Sequence, residues 1–163
     1  MQFLSSVLWI SEASLAEMTR EAELAYPLET GGVLAGYVAD CGGIVITGVS
    51  GPGPNAIHGQ FRFTPDHEWQ CSFLDKLYLD SSGISVYLGD WHTHPHGRPQ
   101  MSRLDKKTLT AIAKSSESGC PSPLMVIGSG ELSEWYWLAH QYVSSGLFGW
   151  PIFSRQLQVN IFS

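Results

Sequence analysis

At 163 residues the chain is close to the ~150 typical of one domain and long enough to bury a core without staples, which excludes a multidomain machine. Hydrophobic residues make up 44% and charged residues only 15%, against ~25% charged in an average globular protein, so the chain is neither disordered nor heavily solvated. A formal net charge of −6 provides no basic stripe for a phosphate backbone or an anionic lipid surface, and nucleic acid and membrane are excluded as expected partners.

The first apolar run, Val7 to Ile10, reads as a short extended segment. Beyond it Leu15, Met18, Ala22 and Ala25 recur at three- and four-residue steps, the pattern of an amphipathic helix. Ser11 or Ser14 is its expected N-cap, Ser14 forming a capping box with Glu17, and Pro27 marks its end. Val33 to Val38 and Ile44 to Val49 read as a hairpin around Asp40-Cys41-Gly42-Gly43. Gly51 to Asn55 is a loop and Phe61-Arg62-Phe63 a short strand. Thr64 as N-cap, with Pro65 at the first helical position, opens a second helix whose apolar face is Trp69, Phe73, Leu74 and Leu77.

Ser81-Ser82-Gly83 stops that helix, and the apolar strand Val86 to Trp91 leads into His92-Thr93-His94-Pro95. A third helix is expected from Ser102 to about Lys114. Leu124 to Ile127 and Trp135 to Leu138 are strands around a turn at Gly128-Ser129-Gly130. The apolar tail from Gly146 to Ser163 carries no assignable pattern, and its Phe148 to Phe153 stretch reads either as a partner patch or as a segment docked on the sheet. The whole reads as one domain over residues 1–163, an α/β (α+β) layer structure of mixed β-sheet flanked by helices.

Cys41, Cys71 and Cys120 are odd in number and far apart, which fits inert thiols in a reducing compartment and no zinc knuckle or redox pair. No Lys or Arg precedes the Val7 to Ile10 run and no apolar run reaches the ~18 residues of a membrane span, so a cytoplasmic location is the expectation.

His92 and His94 lie two apart at a strand end, so period-two geometry sends both rings to one face. Pro95 holds His94 extended. Two adjacent imidazoles suit a divalent transition metal, zinc above all, which needs a third protein ligand and an open position for catalysis. Ser102 and Asp105, taken alone, read as a helix cap.

Together, Glu29, His92-Thr93-His94-Pro95, Ser102 and Asp105 resemble the signature of the JAB/MPN zinc metalloproteases: a distant Glu, His-(Ser or Thr)-His, seven residues, Ser, two residues, Asp. Glu29-Thr30-Gly31-Gly32-Val33-Leu34 resembles that family's helix-to-strand entry. Gly51-Pro52-Gly53-Pro54-Asn55-Ala56, Phe63-Thr64-Pro65-Asp66 and Tyr87 to Pro95 resemble its small bacterial members from antiphage operons, CBASS among them, that carry activating-like and conjugating-like enzymes.

The resemblance implies an MPN/JAB1, cytidine-deaminase-like fold. It also implies one zinc ion held by His92, His94 and Asp105, Glu29 as general base and Ser102 as oxyanion donor. The activity it implies is deubiquitinase-like isopeptidase cleavage of a ubiquitin-like modifier, or of a CBASS nucleotidyltransferase, conjugated through its C-terminus. Two other readings stay open: a non-catalytic interaction scaffold, and a peptidase that processes a sulfur-carrier precursor. Of the other imidazoles, His58 and His67 read as surface or helix-start residues, His96 as solvent-exposed and His140 as outside the motif, while Trp91, opposite in phase to His92, is expected in the core.

Overall fold

A computed structural model describes residues 7–143 and 154–163. In chain order the elements are β1 (Val7–Ser11), α1 (Glu12–Ala25), β2 (Gly31–Val38), β3 (Ile44–Val49), β4 (Ile57–His58), β5 (Phe63–Thr64), α2 (His67–Asp80), β6 (Val86–Pro95), α3 (Arg103–Lys114), β7 (Leu124–Glu131), β8 (Glu134–Tyr142) and β9 (Ser154–Phe162). The mixed sheet closes on itself in the order β1-β3-β2-β6-β7-β8-β9, and β4 and β5 form a separate two-stranded ladder.

The expected hairpin is β2–β3, antiparallel, with a register shift at Ala35/Gly36. Closure comes from the tail: β9 pairs antiparallel with β8 and parallel with β1, so part of the unassigned C-terminal segment is a strand docked on the sheet. The Phe148 to Phe153 patch lies outside the described residues.

Inside the sheet, Leu8, Ile10, Leu34, Ile46, Val126 and Trp91 form one core, into which α1 inserts Met18. The Trp91 indole N–H donates to the Ser50 carbonyl at 2.9 Å, which satisfies the polar end of a side chain that is only 1% exposed. On α3, Leu109 packs with Met125 and Ile127 in a second, smaller cluster.

The structure corrects several boundaries. Ser11 is the α1 N-cap, its hydroxyl accepting from the Ser14 N–H at 3.1 Å. Asp66, not Thr64, caps α2: its carboxylate accepts from the N–H groups of Trp69 and Asn55, while Thr64 pairs with Ile57 in the short ladder. A carboxylate that takes several such bonds is the stronger cap. Trp69 is 50% exposed, and in its place Gln70 turns inward from the first turns of α2.

Gly128-Ser129-Gly130 is not a turn but part of the C-terminal half of β7, which reverses into β8 beyond Glu131. A Cβ on Gly128 would fall 2.6 Å from the Trp137 ring, so glycine there makes room for an aromatic on the neighbouring strand. Cys41 and Cys71 are exposed and Cys120 is half-buried, all three as free thiols.

Candidate active site

β6 runs on through Pro95, so the His-Thr-His segment is strand to its end. Alternation places Trp91 and Thr93 on the buried side and Asp90, His92 and His94 on the other. The antiparallel pairing of β2 with β6 sets Gly31 opposite Trp91's neighbour His92. The same register continues past the ladder through the Thr93 N–H, which donates to the Thr30 carbonyl at 2.9 Å, and so brings Glu29 level with His94. Two glycines follow because the strands are close: a Cβ on Gly31 would lie 2.3 Å from the Trp91 carbonyl oxygen and one on Gly32 2.0 Å from that of Ser50.

Glu29 is fixed from three directions. Its N–H donates to the Gly59 carbonyl at 2.8 Å, its own carbonyl accepts from His58 Nδ1–H at 2.9 Å, and the next N–H, of Thr30, donates to the Thr93 hydroxyl at 3.0 Å. His58 therefore braces the loop that carries Glu29, a role that its sequence context as a surface residue did not suggest.

Asp105 reaches the same place from the first turn of α3. Ser102 accepts from the Asp105 N–H at 3.1 Å, and the Ser102 N–H donates to Asp105 Oδ2 at 2.6 Å, a reciprocal capping box. The capping reading and the ligand reading of this pair are thus one arrangement, since the cap orients the carboxylate. Asp105 Oδ1 lies 3.1 Å from His92 Nε2 and Oδ2 lies 3.4 Å from His94 Nε2, while the two Nε2 atoms are 3.1 Å apart.

His94 Nδ1–H donates to the Arg98 carbonyl at 2.9 Å, which leaves its Nε2 lone pair aimed at the group. His92, His94 and Asp105 are the one group of three potential metal ligands found among the described residues. Bonds of about 2.0–2.2 Å to a tetrahedral ion put neighbouring donors roughly 3.3–3.6 Å apart. The spacing of the two Nε2 atoms and of each from its nearer carboxylate oxygen is close to this, and one donor atom from each residue can be taken with all three within 4.8 Å of one another.

Electrostatics follow from burial and these contacts. Burial pushes the Glu29 carboxyl above the ordinary carboxylate value, against the pull of His94 and His92. Burial would raise Asp105 too, but the hydrogen bonds of His92 and His94 and the charge of His92 hold it well below the usual range. His94 is raised: burial opposes its protonation, and the bonds to Asp105 and the Arg98 carbonyl overcome that. Burial also raises Asp90 and Tyr87, whose hydroxyl donates to Asp90 Oδ1 at 2.8 Å.

Glu29, His92, His94, Ser102 and Asp105 all line one open cleft of about 690 Å³. Its rim carries residues not singled out from the sequence. Phe61 stands 87% exposed on one lip and Leu104 55% exposed on another. His96, exposed as expected, has its Nε2 2.7 Å from the Tyr26 hydroxyl. Gln70 and Asp90 lie in the wall of the cleft. Asp90 was accessible to the alternation argument, two residues before His92; nothing in the sequence marked Gln70. His140 stays outside the site, donating through Nε2–H to the Pro99 carbonyl at 3.0 Å.

With this geometry in hand, likeness to other proteins becomes informative. Residues 11–139 match the profile of a family described as prokaryotic homologs of the JAB domain. A probable metalloprotease, y4qB, of Sinorhizobium fredii is 35% identical over 141 residues, covering 86% of this chain and 85% of that protein. A CD-NTase/cGAS isopeptidase of Enterobacter hormaechei is 30% identical over 123 residues, covering 75% of this chain and 67% of its own length. The solution structure of DSY2949 from Desulfitobacterium hafniense superposes with a TM-score of 0.68 at 18% identity, covering 96% of this chain and 93% of that one. That last likeness is one of fold.

Proposed function

The chain belongs to the prokaryotic JAB-domain family and is similar to proteins named metalloprotease and isopeptidase, and on that premise we propose that it is a zinc-dependent isopeptidase, a single JAB/MPN domain that releases a protein joined through its C-terminus to a target. The observation that carries this reading is the convergence of His92 Nε2, His94 Nε2 and Asp105 at 3.1–3.4 Å beside Glu29 in an open cleft. Two imidazoles and one carboxylate, with room for a fourth ligand, are the donor set of a catalytic zinc site and not of a structural one. The names of the relatives acting on CD-NTase/cGAS support a CBASS-like antiviral setting, with a nucleotidyltransferase or a ubiquitin-like protein as the conjugated substrate.

Zinc bound by His92, His94 and Asp105 would supply Lewis acidity, polarising a carbonyl and bringing the pKa of water from ~15.7 to about 7. The rest is work for side chains. Glu29, raised by burial, accepts a proton from the attacking water and delivers it to the amide nitrogen, so that the departing group leaves as a neutral amine. The Ser102 hydroxyl, in the cleft wall at the start of α3, donates to the scissile carbonyl oxygen as charge builds on it. The Arg98 carbonyl keeps His94 in the tautomer that presents Nε2.

Cleavage of a C-terminally fused reporter, measured on the purified protein, after chelation and after stoichiometric zinc is added back, tests the proposal. The expected result is loss on chelation and recovery with zinc. Undiminished cleavage by metal-free protein would refute it.

A further inference from the structure

The cleft extends beyond the residues that the reaction uses. Along β6, Asp90 follows His92 on the same face, one two-residue repeat or roughly 6.6 Å further from His94. Helix α2 packs against β2 and β6 and contributes Gln70 to the wall of the cleft. Gln70 is 7% exposed. Among the described residues its carboxamide has no hydrogen-bond partner, and neither of its polar atoms is sealed from solvent, whereas Asp90 in the same wall already accepts from the Tyr87 hydroxyl at 2.8 Å.

A carboxamide holds two donors and one acceptor, and where the protein itself offers no partner they are left for whatever occupies the cleft, a ligand or water. Its chemistry limits what that ligand is. A carboxamide is uncharged and presents a donor beside an acceptor, the same pair that a peptide group of an extended chain presents in return. Phosphate and carboxylate, which accept only, match half of it. The exposed Phe61 and Leu104 on the lips add apolar surface of the kind that side chains of a bound strand cover.

We propose that the Gln70 carboxamide hydrogen-bonds the main chain of an extended peptide lying along β6, and so sets the register in which a substrate meets the ligand triangle. This rests on the peptidase reading above for the identity of the ligand as polypeptide. Gln70 is then a substrate-binding residue that is selective for main chain, with the lips contributing side-chain preference.

The test uses the full chain carrying Glu29→Gln, loaded with zinc, so that binding is read without turnover. The probe is the acetylated hexapeptide amide Ala-Leu-Ala-Leu-Ala-Ala, with a series in which one main-chain amide at a time is replaced by an ester, deleting a single N–H. One ester should weaken binding roughly three- to tenfold, the worth of one hydrogen bond. In Gln70→Met, which keeps chain length but neither donor nor acceptor, parent binding should fall by a similar factor and the sensitivity to that ester should vanish.

Equal ester sensitivity in both proteins, or no binding of the parent peptide up to millimolar concentration, overturns the proposal. Should Gln70→Met fail to fold, the side-chain NH2 resonances of Gln70 in the unmutated residue context decide: they shift on peptide addition if the proposal holds and stay in place if it does not. Failure of the peptidase reading is seen separately, as absence of zinc-dependent cleavage by the wild-type chain. Ester-sensitive binding through Gln70 without cleavage would leave a peptide-binding cleft standing and the enzyme reading refuted.

Discussion

Thr93 sits between the two histidines and never faces the cleft, yet it joins the strand of His92 and His94 to the segment that carries Glu29, the proposed base. It is fully buried, and its hydroxyl accepts from the Thr30 N–H at 3.0 Å. Thr93→Val keeps shape and volume and replaces that hydroxyl by a methyl group, leaving a buried N–H without a partner. The expected cost is about 1–3 kcal/mol. At about 2–4 °C per kcal/mol for a chain of this size, Tm falls by about 2–12 °C.

Catalysis responds through Glu29, the residue before Thr30. The Thr93 N–H to Thr30 carbonyl bond survives the substitution, so the base shifts by less than the ~1 Å that costs 10²-fold, and kcat should fall by about tenfold at unchanged zinc content. Thr93→Ser keeps the oxygen and loses only a methyl group, about 1 kcal/mol with kcat retained. The assay is thermal melting, metal analysis and steady-state cleavage on the three proteins in parallel. Thr93→Val as stable and as active as wild type, or Thr93→Ser as damaged as Thr93→Val, would refute the linkage.

Other consequences follow from the same geometry. Asp105→Ala removes both a proposed ligand and half of the α3 capping box, so metal analysis should show zinc content well below one per chain, and the loss of about 1 kcal/mol of capping should lower the melting temperature. Alkylation of Cys41 and Cys71, both exposed, should leave turnover within a few-fold of the untreated protein, because the attacking group is water; loss of activity with the fold intact would point to a thiol mechanism. In metal-free protein the raised Glu29 carboxyl binds its proton more tightly folded than unfolded, so its contribution to stability is lost as pH rises from the unfolded value through the folded one. Glu29→Gln should therefore melt higher than wild type at pH 7, and the difference should disappear below about pH 4, as followed by melting curves across pH.

How far the sequence carried can be read off particular residues. The pairing of His92 and His94 was legible because period two along a strand puts them on one face, whereas Ser102 and Asp105 read by spacing alone as a cap, and only the family resemblance set Asp105 beside the histidines, where the cap aims its carboxylate. The chain pattern also yielded the β2–β3 hairpin, the three helices and the burial of Trp91. Closure of the sheet was not legible, since β9 is held by pairing with β1 and β8, contacts between distant segments that leave no local periodicity. The false turn at Gly128 has a related cause: the glycine answers to Trp137 on the next strand, and glycine that makes space looks like glycine that makes a turn. Gln70 escaped because a polar residue on a helix is ordinarily solvated, and only the packing of α2 against β2 and β6 turns it inward.

In the proposed reaction Glu29 is the group that moves the proton. Glu29→Gln retains size and hydrogen-bonding capacity, so the fold, one zinc per chain and binding of a C-terminally fused substrate should all persist while kcat falls by at least ~10²–10⁴-fold. Zinc content, substrate binding and cleavage measured side by side on wild type and Glu29→Gln decide it. Cleavage within a few-fold of wild type would remove Glu29 from the mechanism, and loss of zinc from the variant would make it a ligand instead of a base.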